Sequence, residues 1–199
     1  MISGFEVLEL GAYSRLVGED SVGLVLQTFD CRLNPEVQDF LSRKAIQAGK
    51  LKSAITYLVF DTGTSRLVGY FTLVLKPFSI AKDKLSSNNR KLISRFAELN
   101  ERTGEYTAAL YLIAQVGKNF AIAESARISG KVLIDLALER LRAAQGIVGG
   151  KLVLVEREAD KPKLLDFYNG CGFKSWNARY DKGDKVQYDQ MIRVLESVA

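Results

Sequence analysis

The stretch 109–138 constrains the fold of this chain more than any other. Its apolar segment ALYLIAQVG predicts a β-strand, an irregular loop follows, and Ser129-Gly130-Lys131 begins an amphipathic helix expected over 129–145. The first N–H groups of a helix have no partner within the helix, and they lie at the positive end of its dipole. The residues that can hold a phosphate-bearing ligand here are therefore Ile128, Ser129, Gly130, Lys131 and Val132.

The same stretch is also compatible with a purely structural crossover in which Ser129 only caps the helix. It contains neither G-x-x-x-x-G-K-[ST] nor G-x-G-x-x-G, so a nucleoside-triphosphate loop and a Rossmann site are not expected. After the helix, Gly149-Gly150 turns the chain into the strand-like KLVLVERE. A strand, a crossover helix and a second strand of this length predict a parallel βαβ unit.

The N-terminal half predicts a helix and a hairpin. Asn34 as N-cap, Pro35 at the first helical position and Gly49 past the end delimit the helix. Its apolar stripe contains Val37, Phe40, Leu41 and Ala48. ITYLVF (55–60) and LVGYFTLVL (67–75) are joined by the turn-prone DTGTSR, and Pro77 is expected to end the second strand.

Residues 79–107 are polar and predict a loop plus one helix inserted between strands. Apolar residues recur there at helical spacing: Leu92, Ile93, Phe96 and Leu99. Near the other end of the chain, PKLLDFYN (162–169) predicts a short helix that begins at Pro162 and stops at Gly170 and Gly172. Phe173 onward, with YDQMIRVL, supplies the last strands.

Composition sets the class of protein. The chain has 199 residues, of which 47% are hydrophobic and 26% charged, as expected for one globular domain over 1–199. No apolar run reaches the length of a membrane span and no signal-peptide core follows Met1, so a soluble, cytoplasmic protein is expected. Two cysteines are too few for a disulfide framework.

The net charge of +5 favours anionic partners, although a merely solvated basic surface explains it equally.

The absence of histidine restricts the chemistry. It excludes a Ser-His-Asp or Cys-His catalytic unit and the common zinc sites that contain histidine, and no metal site is expected. Any proton transfer must use Tyr, Glu, Asp, Lys, Cys or water. The most distinctive candidate lies in Phe167-Tyr168-Asn169-Gly170-Cys171-Gly172-Phe173, which also fits a packing role with the phenylalanines in the core.

Taken in this order, the two elements resemble the GCN5-related N-acetyltransferase family. Its Q/R-x-x-G-x-G/A loop corresponds to residues 125–130, where Gly130 matches, Ser125 replaces Gln/Arg and Ile128 replaces the first glycine. Its Tyr-x-x-x-Gly-Phe pattern maps without gaps onto 168–173. The segments 29–61 and 67–73 look like the opening of the subgroup that includes bacterial toxins acting on charged tRNA, so the similarity runs from about Phe29 to Leu195.

The resemblance implies an α/β fold: a single domain whose mixed central sheet contains a splayed strand pair and is flanked by helices. It implies acetyl-CoA as co-substrate and direct transfer of the acetyl group to a primary amine in a ternary complex. The residues expected to bind acetyl-CoA are Val116, Gly117, Lys118, Arg127, Ile128, Ser129, Gly130, Lys131 and Val132. Tyr168 is the expected general acid, Glu156, Glu158 or a water is the expected base, and Glu124 is a weaker candidate.

The acceptor stays open between a small molecule, a protein and an aminoacyl-tRNA. A basic surface for tRNA phosphates would contain Arg90, Lys91, Arg95, Arg102, Lys174, Arg179, Lys182 and Lys185. A non-catalytic acyl-CoA sensor or a protein-interaction module with the same fold is the alternative, favoured by the atypical loop and disfavoured by Tyr168. A nucleic-acid-binding protein without activity lacks a recognisable motif. A homodimer is left open as the assembly.

Overall fold

The computed structural model describes residues 2–181, 183 and 186–196. Its strands are β1 (Phe5–Glu9), β2 (Ile55–Asp61), β3 (Leu67–Ala81), β4 (Glu98–Asn100), β5 (Glu105–Lys118), β6 (Leu152–Glu158), β7 (Lys174–Asp181) and β8 (Val186–Val194). Its helices are α1 (Leu10–Val17), α2 (Glu19–Gln27), α3 (Pro35–Asp39), α4 (Ala45–Lys50), α5 (Ser87–Ile93), α6 (Gly130–Val148) and α7 (Pro162–Gly170). A π-helical turn (Phe40–Lys44) joins α3 to α4. Short 3₁₀ turns lie at Lys82–Lys84 and Glu124–Ala126.

The fold is α/β, with a mixed sheet flanked by helices, and this confirms the expected fold class. The chain divides into two compact units. The first contains the residues up to Val74 together with Ile113–Arg140, and the second contains Leu75–Leu112 together with the residues from Leu141 onward. Among the described residues, no helix has both the length and the apolar character that crossing a membrane requires.

In the first unit the strand order is β1-β2-β3-β5. The hairpin of β2 and β3 pairs Ile55 with Leu73 and Tyr57 with Phe71, as the sequence predicts. Its core packs α1, α2 and the helical run 35–50 against the sheet. Members of that core include Leu26, Phe29, Leu41, Leu58, Phe60 and Tyr70.

The helical run 35–50 begins as expected, because the side chain of Asn34 accepts the N–H of Val37 at 3.3 Å and Pro35 occupies the first turn. Its end differs from the prediction: Gly49 lies inside the last turn, and the helix continues to Lys50. The π-helical turn adds one residue, so the buried positions fall at Val37, Leu41 and Ala45 rather than extending to Ala48.

In the second unit the strand order is β3-β5-β6-β8-β7, and β4 pairs with β5. β5 and β6 are parallel, with Tyr111 opposite Val153, so the predicted βαβ unit is confirmed. The core of this unit contains Phe78, Ile93, Tyr106, Leu110, Leu154 and Trp176. Trp176 lies at an irregularity where β7 shifts register against β8.

The expectation that Pro77 ends the second strand is wrong, because β3 continues to Ala81. In the second unit β3 is an edge strand, and a proline without an N–H is tolerated at an edge. Pro77 is accordingly exposed, while Phe78 and Ile80 enter the core.

The insertion is shorter than the predicted 79–107 and contains less helix. β3 and β5 include its two ends, and the N–H of Lys82 bonds to the carbonyl of Gly104 at 2.9 Å. Helix α5 ends at Ile93, so Phe96 lies in a turn and Leu99 in β4. Both still pack against the same apolar cluster, because alternate elements supply apolar residues at similar spacing.

Candidate active site

The end of β5 contains three residues predicted to bind acetyl-CoA, namely Val116, Gly117 and Lys118. Gly117 is buried against the core of the first unit. A Cβ at this position would lie 2.7 Å from Cγ1 of Val37 and 2.8 Å from Cε1 of Tyr70. The packing therefore requires glycine here, and the main chain passes close to the aromatic side chains at the end of the strand.

A buried asparagine, Asn119, fixes the loop that follows β5. Its Nδ2 donates to the carbonyls of Thr28 and Leu67 at 2.9 and 2.8 Å, and its Oδ1 accepts the N–H groups of Asp30 and Ala121, both at 3.0 Å. The side-chain amide thus makes four hydrogen bonds inside the first unit, and only 2% of the residue is exposed. Sequence reasoning missed this residue, because two of its partners lie 91 and 52 positions away.

Two cations, one at the end of β5 and one in the loop, contact the ring of Phe120. Nζ of Lys118 lies 5.5 Å from the ring centroid, and Cζ of Arg127 lies 5.1 Å from it. Nε of Arg127 also donates to the carbonyl of Ile122 at 2.7 Å. The Arg127 side chain therefore stabilises the loop that contains it.

The start of α6 has the predicted cap, since Oγ of Ser129 accepts the N–H of Val132 at 3.1 Å. Ile128, which replaces the glycine of the family pattern, is only 3% exposed and belongs to the core. Within residues 2–181, 183 and 186–196, the N–H groups of Ser129 and Gly130 have no hydrogen-bond partner. Nζ of Lys131 forms an ion pair with Asp135 at 2.5 Å. The main chain at this helix start thus offers donors to an anion.

A cavity of about 370 Å³ lies beside the same loop in the first unit. The loop contributes Asn119, Ala121 and Ile122 to its lining. Arg66, from the turn before β3, is also part of the lining. The loop is therefore accessible to a ligand along its side as well as at the start of α6.

Tyr168 lies on α7 in the second unit, where it packs between aromatic neighbours. Its ring centroid is 5.1 Å from that of Phe167 and 5.9 Å from that of Phe173, the latter in an edge-to-face arrangement. The carbonyl of Tyr168 accepts the N–H groups of Cys171 at 3.1 Å and Phe173 at 3.0 Å. The turn that follows α7 needs Gly172, because its φ is 80°. The two hydrogen bonds to the Tyr168 carbonyl hold this turn against the last residues of the helix.

The hydroxyl of Tyr168 is the group of this helix that the sequence predicts to act as the general acid. No residue in the described part of the chain forms a hydrogen bond with it, and the side chain is partly exposed. Burial, together with the nearby Cys171 thiol, raises the pKa of Tyr168 to about 12. The hydroxyl therefore keeps its proton at neutral pH and is free to donate it to a ligand.

Glu156 lies on β6, within a polar network of the second unit. Its Oε1 accepts Nε2 of Gln190 at 2.7 Å, and its Oε2 accepts Nη2 of Arg179 at 3.1 Å. Nζ of Lys76 is 3.8 Å from Oε1. Burial acts to raise the pKa of Glu156, but the hydrogen bonds and the two cations outweigh it and lower the pKa. An ionised carboxylate with this many donors is a weaker proton acceptor than a solvated one.

The other two candidate bases have different surroundings. Oε1 of Glu158 forms an ion pair with Nζ of Lys161 at 2.6 Å. Glu124 is exposed in the first unit. The basic surface is in part present: Lys91, Arg95, Arg102 and Lys174 are exposed in the second unit, whereas Lys182 and Lys185 lie outside the described residues.

The predicted site residues separate by unit. All nine residues expected to bind acetyl-CoA belong to the first unit, whereas Tyr168 and Glu156 belong to the second. Each group is internally consistent, since one offers main-chain donors and loop cations, and the other offers a protonated hydroxyl and a carboxylate.

No protein-family model matches the sequence, and no curated protein matches it. Solved structures do match it. A tyrosine-to-phenylalanine mutant of KacT is 17% identical, with 94% of each chain covered and a TM-score of 0.62. AtaT complexed with acetyl-methionyl-tRNAfMet is 16% identical, with 92% of this chain and 93% of that chain covered and a TM-score of 0.61. AtaTR bound with acetyl-CoA is 17% identical, with 98% and 95% covered and a TM-score of 0.59. The likeness establishes that this chain has the GCN5-related N-acetyltransferase fold.

Proposed function

We propose that this chain is an acetyl-CoA-dependent N-acetyltransferase that transfers an acetyl group to a primary amine. The observation that carries the proposal is the Tyr168 hydroxyl, which is protonated at neutral pH and has no hydrogen-bond partner in the described part of the chain. A protonated hydroxyl without a protein partner is available to donate to a ligand. The fold supports the proposal, since structures that share it include one bound to acetyl-CoA.

In the proposed reaction the nitrogen of a neutral amine attacks the thioester carbonyl of acetyl-CoA. A C–N bond forms, the C–S bond then breaks, and the proton of Tyr168 passes to the departing thiolate to give free CoA. The amine loses its own proton to a base, and Glu156, Glu158 and a water are the candidates. The products are an acetamide and CoA, and the tyrosine regains its proton from solvent.

Acetyl-CoA binding is assigned to the loop and helix start of the first unit. The N–H groups of Ser129 and Gly130 would donate to the pyrophosphate, and Arg127, Ile128, Lys131 and Val132 complete that segment. The strand end at Val116, Gly117 and Lys118 would contact the pantetheine arm, where a main-chain N–H can polarise the thioester carbonyl. Arg127 and Lys131 already have protein contacts, so main-chain donors would supply most of the binding.

An aminoacyl-tRNA is our preferred acceptor, on two grounds. AtaT is known in complex with acetyl-methionyl-tRNAfMet, and the two folds agree. The second unit also exposes Lys91, Arg95, Arg102 and Lys174, which can contact phosphates. Binding to tRNA should then weaken steeply as salt rises. An antitoxin-like protein is a further proposed partner, since a mutant of AtaT has been solved with the C-terminus of the antitoxin AtaR. The homodimer left open by the sequence stays a proposal.

One observation favours the alternative of a non-catalytic acyl-CoA sensor. Ile128 is buried in the core where the family pattern has glycine, and Arg127 is engaged with Ile122. Such a protein would bind acetyl-CoA without releasing CoA. A partner-binding module would bind neither acetyl-CoA nor an amine.

The test is a titration followed by a turnover assay. Calorimetry with acetyl-CoA, beside ATP and NAD as controls, measures selective binding. Release of free thiol is then followed with aminoacyl-tRNA and with small amines. We expect selective binding and turnover, and loss of turnover in Tyr168→Phe but not in Tyr180→Phe, because Tyr180 is 60% exposed on the same unit. Binding without turnover on any amine would favour the sensor, and no binding would reject both.

A further inference from the structure

A second buried charge in the second unit has no part in the scheme above. Arg157 on β6 is only 6% exposed, and its guanidinium forms an ion pair with Asp189, which lies directly opposite on β8. Its Nη1 donates to the carbonyls of Glu158, Ala159 and Lys161 at 3.1, 3.3 and 3.2 Å. One side chain thus donates to three of the carbonyl groups between the end of β6 and the start of α7.

The start of α7 explains why this contact matters. Lys161 occupies the cap position, and its side chain makes no capping hydrogen bond. Lysine is not among the residues that cap helices, so the start of α7 lacks a side-chain cap. Its local contacts are the hydrogen bond from the N–H of Lys161 to the carbonyl of Glu158 at 3.2 Å and the ion pair between the same two residues. The connection is tied to the sheet by Arg157 and by the N–H of Ala159, which bonds to the carbonyl of Gln187 at 2.9 Å.

Burying the Arg157 guanidinium also costs free energy, because one of its nitrogens has no hydrogen-bond partner among the described residues. That nitrogen is Nε, and it is buried. An unpartnered buried donor is unfavourable, and a residue chosen only for packing would not introduce one. The planar fork of arginine can bind an anion on one nitrogen and several carbonyls on the other, and lysine cannot do this.

We propose that Arg157 is a positioning residue that fixes the connection 158–161 and thereby the placement of α7 and the Tyr168 hydroxyl. This inference rests on the proposed function. Tyr168 lies six residues beyond Pro162, about 9 Å along the helix, so a change of angle at the start displaces the hydroxyl. A displacement of about 1 Å is enough to slow proton transfer on the order of 100-fold.

The test compares Arg157→Lys with Arg43→Lys in the full chain. Arg43 also pairs with an aspartate, Asp39, at 3.2 Å, but its side chain is 79% exposed. Three quantities are measured for each variant: hydrogen exchange of peptides covering 158–170, the KM for acetyl-CoA, and the kcat of acetyl transfer. Arg157→Lys should exchange faster in 158–170 and lose kcat by roughly 10-fold or more with KM within about twofold, whereas Arg43→Lys should change none of these.

A double variant separates positioning from general destabilisation. If Arg157 acts through Tyr168, then Tyr168→Phe should cost far less in the Arg157→Lys background than in the wild type. Multiplicative losses, or unchanged exchange over 158–170, would overturn the inference. If Arg157→Lys does not fold, Asp189→Asn replaces it, because it weakens the same ion pair while keeping an acceptor. If the wild type transfers no acetyl group, the proposed function fails, and the exchange data alone still decide whether Arg157 fixes α7.

Discussion

The loop proposed to bind acetyl-CoA and the helix that carries Tyr168 are held by different means. The loop is fixed from inside the first unit by Asn119, which makes four side-chain hydrogen bonds, and the N–H groups of Ser129 and Gly130 at the start of α6 have no partner among the described residues. In α7 the opposite holds, since its beginning lacks a side-chain cap and Arg157 holds the connection before it. One region thus presents main-chain groups, and the other presents a side chain.

This difference predicts how each region responds to substitution. Main-chain donors stay in place whatever side chain the residue carries, so a segment of this kind tolerates Ser125 and Ile128 where the family pattern has other residues. Proton donation, as proposed for Tyr168, depends on one functional group, so we expect activity to tolerate no change there. The imperfect loop pattern and the intact Tyr-x-x-x-Gly-Phe pattern are therefore compatible within one enzyme.

The largest expected effect belongs to Tyr168→Phe. Removing the hydroxyl should lower kcat about 100- to 10,000-fold, because a positioned proton donor contributes about that much. Affinity for acetyl-CoA should change less than about threefold, since the assigned binding residues lie in the other unit. Thiol release and calorimetry measure the two quantities. A variant that keeps more than half of the wild-type kcat would remove Tyr168 from the reaction.

Asn119→Ala should have the next largest effect, on stability rather than on chemistry. It leaves four main-chain groups without their partner, one fully buried at Leu67 and three partly buried, and a buried unsatisfied group costs about 1–3 kcal/mol, so a loss of roughly 2 kcal/mol or more is expected. Denaturant unfolding measures it. Asn100→Ala is the matched control, because Asn100 also accepts two N–H groups, from Arg102 and Thr103, but is exposed. Equal losses in the two variants would contradict the role of Asn119 as a buried clamp.

The sequence predicted the parts of the fold whose signals are local. The parallel unit β5-α6-β6, the β2–β3 hairpin and the cap at Ser129 follow from periodicity and from residues that are neighbours in the chain. Helix α1 was missed, because its first N–H groups are bound by the side chain of Glu9, a residue type rarely found at a cap. The strand β1 was missed as well, since its five residues alternate only weakly.

The residues that hold the candidate site were harder to find. Asn119 donates to the carbonyls of Thr28 and Leu67, which are distant in the chain, and no local sequence pattern predicts these hydrogen bonds. Arg157 did carry a signal: in β6 it continues the inward series of Val153 and Val155, and a charge at such a position needs a buried partner. The extension of β3 beyond Pro77 depends on its being an edge, which local sequence does not show.

A smaller effect tests the main-chain character of the loop. Gly130→Pro removes one N–H at the first position of α6, where proline is accepted by a helix. If that N–H binds a phosphate, the Kd for acetyl-CoA should rise roughly 10-fold or more, because a hydrogen bond to a charged group contributes about 1.5–3 kcal/mol. Ser129→Ala removes a side-chain cap but keeps every N–H, so it should cost about 1 kcal/mol of stability and leave Kd nearly unchanged. The reverse ranking of Kd values would assign binding to the side chain.

The smallest expected effect concerns Glu156 and its dependence on pH. At neutral pH, Glu156→Gln should cost less than about 1 kcal/mol of stability, because the partners Lys76 and Arg179 are each 37% exposed and water can solvate them. The pKa of Glu156 is lowered from 4.5 in the folded protein, so its contribution to stability is complete above that value and is lost as the pH falls through the folded-state pKa. The difference between wild type and Glu156→Gln should therefore be constant from pH 8 to pH 5 and shrink below about pH 4.5.

The same variant decides whether Glu156 is also the base. If it accepts the proton of the amine, kcat of Glu156→Gln should fall at least about 100-fold while stability at neutral pH changes little. If kcat stays within about threefold, Glu156 serves only to hold Arg179 and Gln190, and Glu158 or a water accepts the proton. Glu158→Gln is the paired variant, because its carboxylate already has an ion pair with Lys161 on the same connection. If both variants keep kcat within about threefold, a water accepts the proton, and the side-chain chemistry of the second unit rests on Tyr168 alone, the extreme form of the contrast with the main-chain loop.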